Sequence, residues 1–528
     1  MSRPPRPLLL RLSLLLALSL LSPSPSLSQP QPPPPPPSGT LIDCGAAAPT
    51  AAANGLRWLP DAPSFVSAGS PRNVSVRTLD PTLATVRSFP NLPGRKFCYV
   101  VGVARGSRYA VRSTYFYGGV NGRPDPPVFD QMVDGTLWAV VNTTADYRRG
   151  SASYYEGVFL AQGKTMSFCV GANAHTDSDP FVSALEFIQL GDSVYNSTDF
   201  GSSALSLVAR NSFGYGGAPI RFPDDQFDRF WEPFGEENSS KTSNNLTVSG
   251  FWNLPPLKVF ETALTVPASQ PLELQWPLGP LPNASYYIAL YFANGHDSVA
   301  GGSRIQNITV NGVPYYSNLT ITSDGVAVFT SKWPLIGLTT INLVPTSNST
   351  LGPLINAGEA FQVLPLGRTT HPRDVIALEN LKLGLHNYPT DWSGDPCFPQ
   401  QYSWTGVTCS QGSRIRVVSL NLTSAGLSGT LSPYLANMTA LTGIWLGNNG
   451  LYGPIPKLSS LKHLEILHLN DNQLDGPIPS SLGAISGLQE LFLQNNNLTG
   501  QVPSSLLNKP GLNLKVNGNH LSSAQPPH

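Results

Sequence analysis

Charge is scarce in this chain. Of its 528 residues only 12% are Asp, Glu, Lys or Arg, and 32 basic residues offset 32 acidic ones. No basic stripe stands out, so the electrostatic footprint that nucleic acid requires is missing. Methionine (four) and cysteine (five) are also few, and no Cys-X-X-Cys, P-loop, Gly-X-Ser-X-Gly or His-Glu-X-X-His pattern occurs. That removes the usual signatures of phosphate-cradling, metal-activated and serine-nucleophile chemistry, and no cofactor or metal is expected. Beyond residue 21 no stretch reaches the roughly 20 apolar residues that a membrane-crossing helix needs. Long amphipathic helical patterns are likewise absent from 40 to 366.

The first residues carry an address. Arg3, Arg6 and Arg11 flank an apolar run at 8–21, followed by small residues and proline. A basic region, an apolar region and a cleavable region make a signal peptide, predicted at 1–28. Residues 29–39 follow as a proline-rich spacer. The chain is therefore expected to be secreted into the extracellular or cell wall space, with no membrane span. A longer form carrying a span would instead sit at the cell surface.

Twelve Asn-X-Ser/Thr sequons support that route: Asn73, Asn142, Asn196, Asn238, Asn245, Asn283, Asn307, Asn318, Asn348, Asn421, Asn437 and Asn497. In an oxidising compartment Cys397 and Cys409, close in sequence, are expected to pair. Closing so small a loop contributes about 3 kcal/mol in the chain-entropy picture. Cys44, Cys98 and Cys169 cannot all pair with one another, and their pairing is left open.

From 40 to 366, short runs rich in Val, Tyr, Phe and Thr alternate with Gly, Pro and Asn breaks; RYAVRSTYFYG, TLWAVV, TMSFCVG and YYIALYFA are examples. These read as strands at β-sandwich spacing. The length exceeds one ordinary sandwich, so two are expected, at 40–198 and 199–366, with the boundary inside 191–205.

The C-terminal part is periodic. LTGIWLGNNGLYGPIP, LEILHLNDNQLDGPIP and LQELFLQNNNLTGQVP place Asn449, Asn472 and Asn496 at matching positions. A weaker copy precedes them and a truncated copy, ending in Asn519 and Leu521, follows. Five leucine-rich repeats are thus expected over 413–523, with a tail at 524–528. Each turn offers inward Leu residues and a buried Asn able to bond backbone groups that the turn leaves unpaired. A single turn cannot bury its own apolar face, so turns stack. Residues 367–412 read as an N-terminal cap. Pro372 suits a first helical turn, and Val375, Leu378, Leu381 and Leu385 recur at three- and four-residue steps. Trp392 and Trp404 are expected to pack there.

Candidate chemistry is sparse. Asp224, Asp225 and Asp228 sit beside Arg221 and Arg229, which favours ion pairs over a cation site. His296 and Asp297 adjoin, without a nucleophile motif. Glu156, Glu186, Glu261 and Glu273 are scattered. On the repeats, the residue between the second and third apolar positions points to the concave face. This gives a column of Asn421, Trp445, His468, Phe492 and Lys515, with Asn470 and Gln494 beside it. The aromatics form either a binding stripe or a set of cross-strand packing neighbours. Asn421 is also a sequon, so a glycan there would confine a partner to the Trp445–Lys515 end.

Several long motifs point further. LIDCG, FPNLPGRKFCYVV, YFYGG, FVSALEFIQL, RNSFGYGGAPIRFPDDQFDRFW and WNLPP occur in an order and spacing that closely resemble the malectin-like ectodomain of plant receptor kinases and receptor-like proteins, over about 41–366. WSGDPCFP and WTGVTC look like the cap joining such an ectodomain to plant extracellular leucine-rich repeats. The resemblance implies a mainly β chain: two tandem malectin-like β-sandwiches, then a short α/β repeat solenoid with a helical cap, and no kinase. It implies a non-catalytic receptor-like recognition protein. The expected partners are a cell-wall saccharide or peptide ligand and another receptor ectodomain. Malectin itself holds a glucose disaccharide with loop aromatics and an acidic residue. By that analogy Tyr115, Phe116, Tyr117, Asp130 and Trp138 are the candidate saccharide site, although the alternation of Tyr115 and Tyr117 fits a core strand equally. The alternatives are a carbohydrate-active enzyme on a β-sandwich scaffold, which would need two facing acids, and a soluble decoy form of a membrane receptor-like protein.

Overall fold

The structure is a computed structural model that describes residues 35–75, 80–235, 239–241, 250–295 and 302–522. The predicted signal peptide, most of the spacer, His296 and Asp297, the sequons Asn238 and Asn245, and the tail lie outside the described residues.

The fold is mainly β. Its backbone from residue 39 to 365 is one long mixed sheet. Gly39–Asp43, Ala184–Gln189, Arg108–Tyr115 and Ser153–Leu160 form the first half of that sheet. Ser203–Phe213, Ala357–Pro365, Leu281–Phe292 and Val326–Gly337 form the second. The halves meet where Gly157 and Val158 pair antiparallel with Ser206 and Leu205. The two sandwiches therefore share a sheet, which strand spacing along the chain could not reveal.

Separate sheets close each half. Lys96–Gly102, Thr165–Gly171, Phe129–Val133 and Thr136–Val141 cover the first, around Val111, Phe129, Phe168 and Phe187. Leu272–Gln275, Thr340–Pro345, Ile305–Val310 and Val313–Thr320 cover the second, around Trp276, Ile288, Leu290 and Leu343. Along Leu281–Phe292 the side chains alternate as a pleated strand requires. Tyr286, Ile288 and Leu290 enter the second core. Tyr287, Ala289 and Tyr291 face the opposite side, where they meet Trp231, Phe251 and Phe260. The shared sheet is thus buried on both faces along this strand.

A row of charges crosses that sheet. Glu186, Arg112, Glu156, Arg210 and Glu359 lie on five adjacent strands. Arg112 bonds Glu186 at 2.7 Å and Glu156 at 2.8 Å; Arg210 bonds Glu156 and Glu359, both at 2.7 Å. All five are buried. Burial pushes the Glu156 carboxyl up, but Arg210 and Arg112 outweigh it and bring it down to about 2. Two of the scattered acids, Glu156 and Glu186, are therefore members of a buried ion network. The aspartates join similar pairs. Asp225 holds Arg229 at 2.9 Å, Asp228 holds Arg221 at 2.6 Å, and Asp224 meets Lys258 at 2.8 Å.

After residue 365 comes the cap. Helix Pro372–Gly384 starts with proline in its first turn and buries Ala377, Leu378 and Leu381. Val375 is only half-buried, and Leu385 is buried within a short strand beyond the helix. Asp374, in the first turn, accepts from Arg416 and from the Val417 amide, tying the helix to the first repeat. Trp392 and Trp404 stack at 5.2 Å inside the cap. Disulfides join Cys397 to Cys409 and Cys98 to Cys169, and Cys44 is a buried free thiol.

The repeats stack as a parallel ladder: Val417–Asn421, Gly443–Trp445, Ile466–His468, Glu490–Phe492 and Asn513–Lys515. Leu420, Ile444, Leu467 and Leu491 are fully buried inside it. The residue before each repeat asparagine is at positive φ, at Asn448, Asp471 and Asn495. Asn472 shows why the next residue is asparagine. Its Nδ2 donates to the carbonyls of Leu446, Leu469 and Asn470, and its Oδ1 accepts from the Leu451 amide.

Candidate functional site

The loop aromatics expected to form a saccharide site are in the interior. Tyr115, Phe116, Tyr117, Asp130 and Trp138 are all buried. The Tyr115 ring meets Phe129, Tyr155 and Phe181, and its hydroxyl donates to Gln131 at 2.7 Å. The Tyr117 hydroxyl bonds Asn121, and Trp138 donates to Ser206 at 3.0 Å on the other half of the shared sheet. These rings offer no open face to a sugar, and the expectation is corrected. Alternation alone identified a strand; it could not show that both faces of the strand are covered.

Asp130 has a different task. Its Oδ1 accepts from Asn173 at 2.7 Å, and its Oδ2 accepts from the Tyr402 hydroxyl of the cap at 2.9 Å. Lys96, two strands away in the same sheet, also meets the cap and donates to the backbone carbonyls of Asp395 and Phe398. Burial lowers its ammonium to about 8, against the pull of Asp395 and Asp391. The Cys98 amide donates to the Ser393 hydroxyl at 3.1 Å. The cap, and the repeats behind it, are thus docked on the first sandwich through buried polar contacts.

The concave face of the repeats carries the open candidate site. Asn421, Trp445, His468, Phe492 and Lys515 stand in register on five parallel strands. The Trp445 and His468 rings meet edge to face at 6.3 Å, and His468 stacks flat on Phe492 at 4.1 Å. The Lys515 ammonium sits 4.1 Å from the Phe492 ring centre, a cation–π contact. His468 Nε2 is 2.8 Å from Glu490 on the neighbouring strand. The rings do pack on one another, yet all three are only half-buried, while Asn421 and Lys515 are exposed. Gly443 makes room: a Cβ there would fall 2.1 Å from the Trp445 indole. Asn470 and Asn495 donate to Asp471 and hold its carboxyl below the usual carboxylate range. The side-chain oxygen of Gln494 is buried with no partner among the described residues. The arrangement is a preformed aromatic ridge edged by fixed polar groups, able to take apolar and hydrogen-bonding contacts together.

A second concavity escaped sequence reading. A cleft of about 270 Å³ is lined by Asn196, Trp252, Asn253, Tyr287, Tyr291 and Phe329, among others. Trp252 is 58% exposed, and its ring meets Phe329 at 5.4 Å. Its residues come from four distant segments, so no local pattern announces it.

The malectin-like domain profile matches residues 42–363. The chain belongs to the malectin-like family. Profiles for the leucine-rich repeat N-terminal domain and for leucine-rich repeats match 371–410, 463–485 and 487–508 of this malectin-like chain. A probable LRR receptor-like serine/threonine-protein kinase of Arabidopsis thaliana is 33% identical over 478 residues, covering 84% of this chain and 49% of the relative. A second, PAM74, is 30% identical over 419 residues, covering 76% and 46%. The chain spans about half the length of the relatives it matches. Among solved structures, the ANX2 ectodomain from Arabidopsis thaliana superposes with a TM-score of 0.52 at 15% identity, over 62% of this chain and 96% of that one. A structure of the plant peptide RALF23 in complex with FER and LLG2 gives 0.51 at 18%, with the same coverage. At these identities the likeness is one of fold. Among the described residues no helix is long and apolar enough to cross a membrane.

Proposed function

We propose that this malectin-like chain is a non-catalytic extracellular recognition module of the receptor-like class, whose repeat ladder docks a peptide or a partner ectodomain. One observation carries the reading: Trp445, His468, Phe492 and Lys515 form a half-open stack on a ladder that is fixed to the sandwiches by its cap. Aromatic rings with a basic neighbour, pre-ordered on rigid strands, are the usual anchors of protein interfaces. Glu490 and Asp471 add acidic edges that would fix a basic or amide-rich ligand in register. One fold neighbour was solved with a peptide and a partner protein, so a peptide belongs among the ligands to try.

A wall saccharide is the second reading, because ring faces also suit the C–H surfaces of sugars. Direct binding of the secreted chain to a panel of wall oligosaccharides and extracellular peptides tests both. Trp445→Ala and Phe492→Ala are expected to abolish the binding found while leaving the melting temperature within a few degrees. Unchanged binding in the double variant sinks the proposed site. Turnover of an oligosaccharide by the purified chain would sink the non-catalytic reading.

A further inference from the structure

The cleft beside Trp252 has an unusual rim. Asn196 and Ser197 line it, and Asn196 opens the sequon Asn196-Ser197-Thr198. Among the described sequon asparagines all but Asn307 are exposed, and Asn196 is one of the exposed ones. Its turn is locked to the cleft by a direct bond: the amide of Tyr195, at φ 54°, donates to Asn253 Oδ1 at 2.9 Å. Asn253 directly follows Trp252. A substituent on the Asn196 side chain therefore starts at the mouth of the cleft.

The lining suits a pyranose ring. The Trp252 indole is mostly exposed, Phe329 stands against it, and Tyr287 lies parallel to Phe329 at 6.3 Å. Flat aromatic surface packs on the C–H face of a sugar. Polar groups sit at the base. Asn253 Nδ2 donates to the hydroxyls of Tyr287 (2.7 Å) and Tyr291 (2.9 Å). The Tyr291 hydroxyl donates to Glu359 at 2.6 Å, whereas the Tyr287 hydroxyl has no acceptor among the described residues. The volume, about 270 Å³, lies at the small end of the range for ligand pockets and suits one or two sugar rings rather than a long chain.

We propose that this cleft is filled by the protein's own glycan: the first N-acetylglucosamine linked to Asn196 lays its ring on the Trp252 indole. The glycan thereby covers an aromatic patch that would otherwise face water, and closes this cleft to external saccharides. It follows that the second sandwich is sealed here and that recognition falls to other surfaces.

The test uses the full secreted chain from a glycosylating eukaryotic host. Peptide mapping gives the occupancy of Asn196, and hydroxyl-radical footprinting gives the reactivity of Trp252. The expected result is an occupied Asn196 and a Trp252 several-fold less reactive than in Asn196→Gln. If Asn196→Gln is not secreted, enzymatic removal of glycans from the folded wild-type chain supplies the same comparison. Trimming to the single core sugar should keep Trp252 protected. Free chitobiose should protect Trp252 in the unglycosylated protein and not in the glycosylated one. An unoccupied Asn196, equal Trp252 reactivity with and without the glycan, or equal protection of Trp252 by free sugar in both forms each overturns the proposal. The last outcome would assign the cleft to an external saccharide.

Discussion

The hydroxyl of Tyr402 donates to Asp130 Oδ2 at 2.9 Å, joining the repeat cap to the first sandwich across 272 residues of chain. It also donates toward the Ala172 carbonyl at 3.1 Å. The bond to Asp130 is one of several buried polar contacts that hold the cap on the first sandwich, beside those of Lys96 and Cys98. Tyr402→Phe removes it while keeping the ring, leaving Asp130 with Asn173 as its donor. We expect a loss of about 1–3 kcal/mol, the cost of a buried acceptor left short of a partner. Amide hydrogen exchange should rise across the cap segment 393–404 and stay unchanged in the strands of the second sandwich. Unaltered exchange in the cap would show that the joint does not depend on this bond.

Arg210 links Glu156 to Glu359, and with them the two halves of the shared sheet. Arg210→Met leaves Glu359 buried with no guanidinium at 2.7 Å. Breaking a buried pair by removing one partner costs about 3–5 kcal/mol. Because the strands are continuous, calorimetry should record one transition for both sandwiches, shifted to lower temperature. Separate transitions for the two halves would contradict the coupling.

Acid should stabilise this protein over part of its range. Burial pushes the carboxyls of Asp43 and Asp134 up to about 6, although Thr50 and Ser167 respectively donate to them. Both groups therefore keep protons in the folded chain that the unfolded chain has released between about 4 and 6. Their contribution is complete below the unfolded value and is lost as pH rises through the folded one. The melting temperature should thus fall from about pH 4 to 6 on this account, and Asp134→Asn should flatten the decline. Lys96 acts at the other end. Its folded value is lowered from 10.5 to about 8, so its contribution is present above the former and lost as pH falls through the latter. A melting temperature that climbs between about pH 4 and 6, in wild type and variant alike, would refute the assignment.

Asn472 serves three carbonyls and one amide of two successive turns. Asn472→Ala takes the side-chain acceptor from the buried Leu451 amide and one donor from each carbonyl, which keep Asn449, Asn496 and the Asn448 amide as donors; we expect a loss of about 1–3 kcal/mol. Asn448→Gly, at φ 56° on the exposed side of the turn, should be tolerated, since glycine adopts that conformation freely. Equal effects of the two changes on urea unfolding would remove the distinction between ladder and surface asparagines.

The repeats were legible because their information is local. Leu, Asn and Gly recur at fixed spacing, and each position does the same thing in every turn. The column Trp445, His468, Phe492 follows from that register alone. The helix at Pro372–Gly384 was legible for the same reason, from proline and an apolar stripe. Tertiary structure decided the rest. Strand order is set by long-range pairing, so only the fold shows that Ser153–Leu160 lies beside Ser203–Phe213 and that the sandwiches share a sheet. Burial on two faces turned Tyr115, Tyr117 and Trp138 from a candidate surface into core. Glu156 and Glu186 looked like scattered acids until folding set Arg112 between them. Asn196, Trp252 and Phe329 are separated by dozens of residues and meet only because the shared sheet carries the loops around them. Periodicity specifies what a residue does within its own turn or strand; neighbours brought from elsewhere in the chain specify whether its side chain is core, joint or surface.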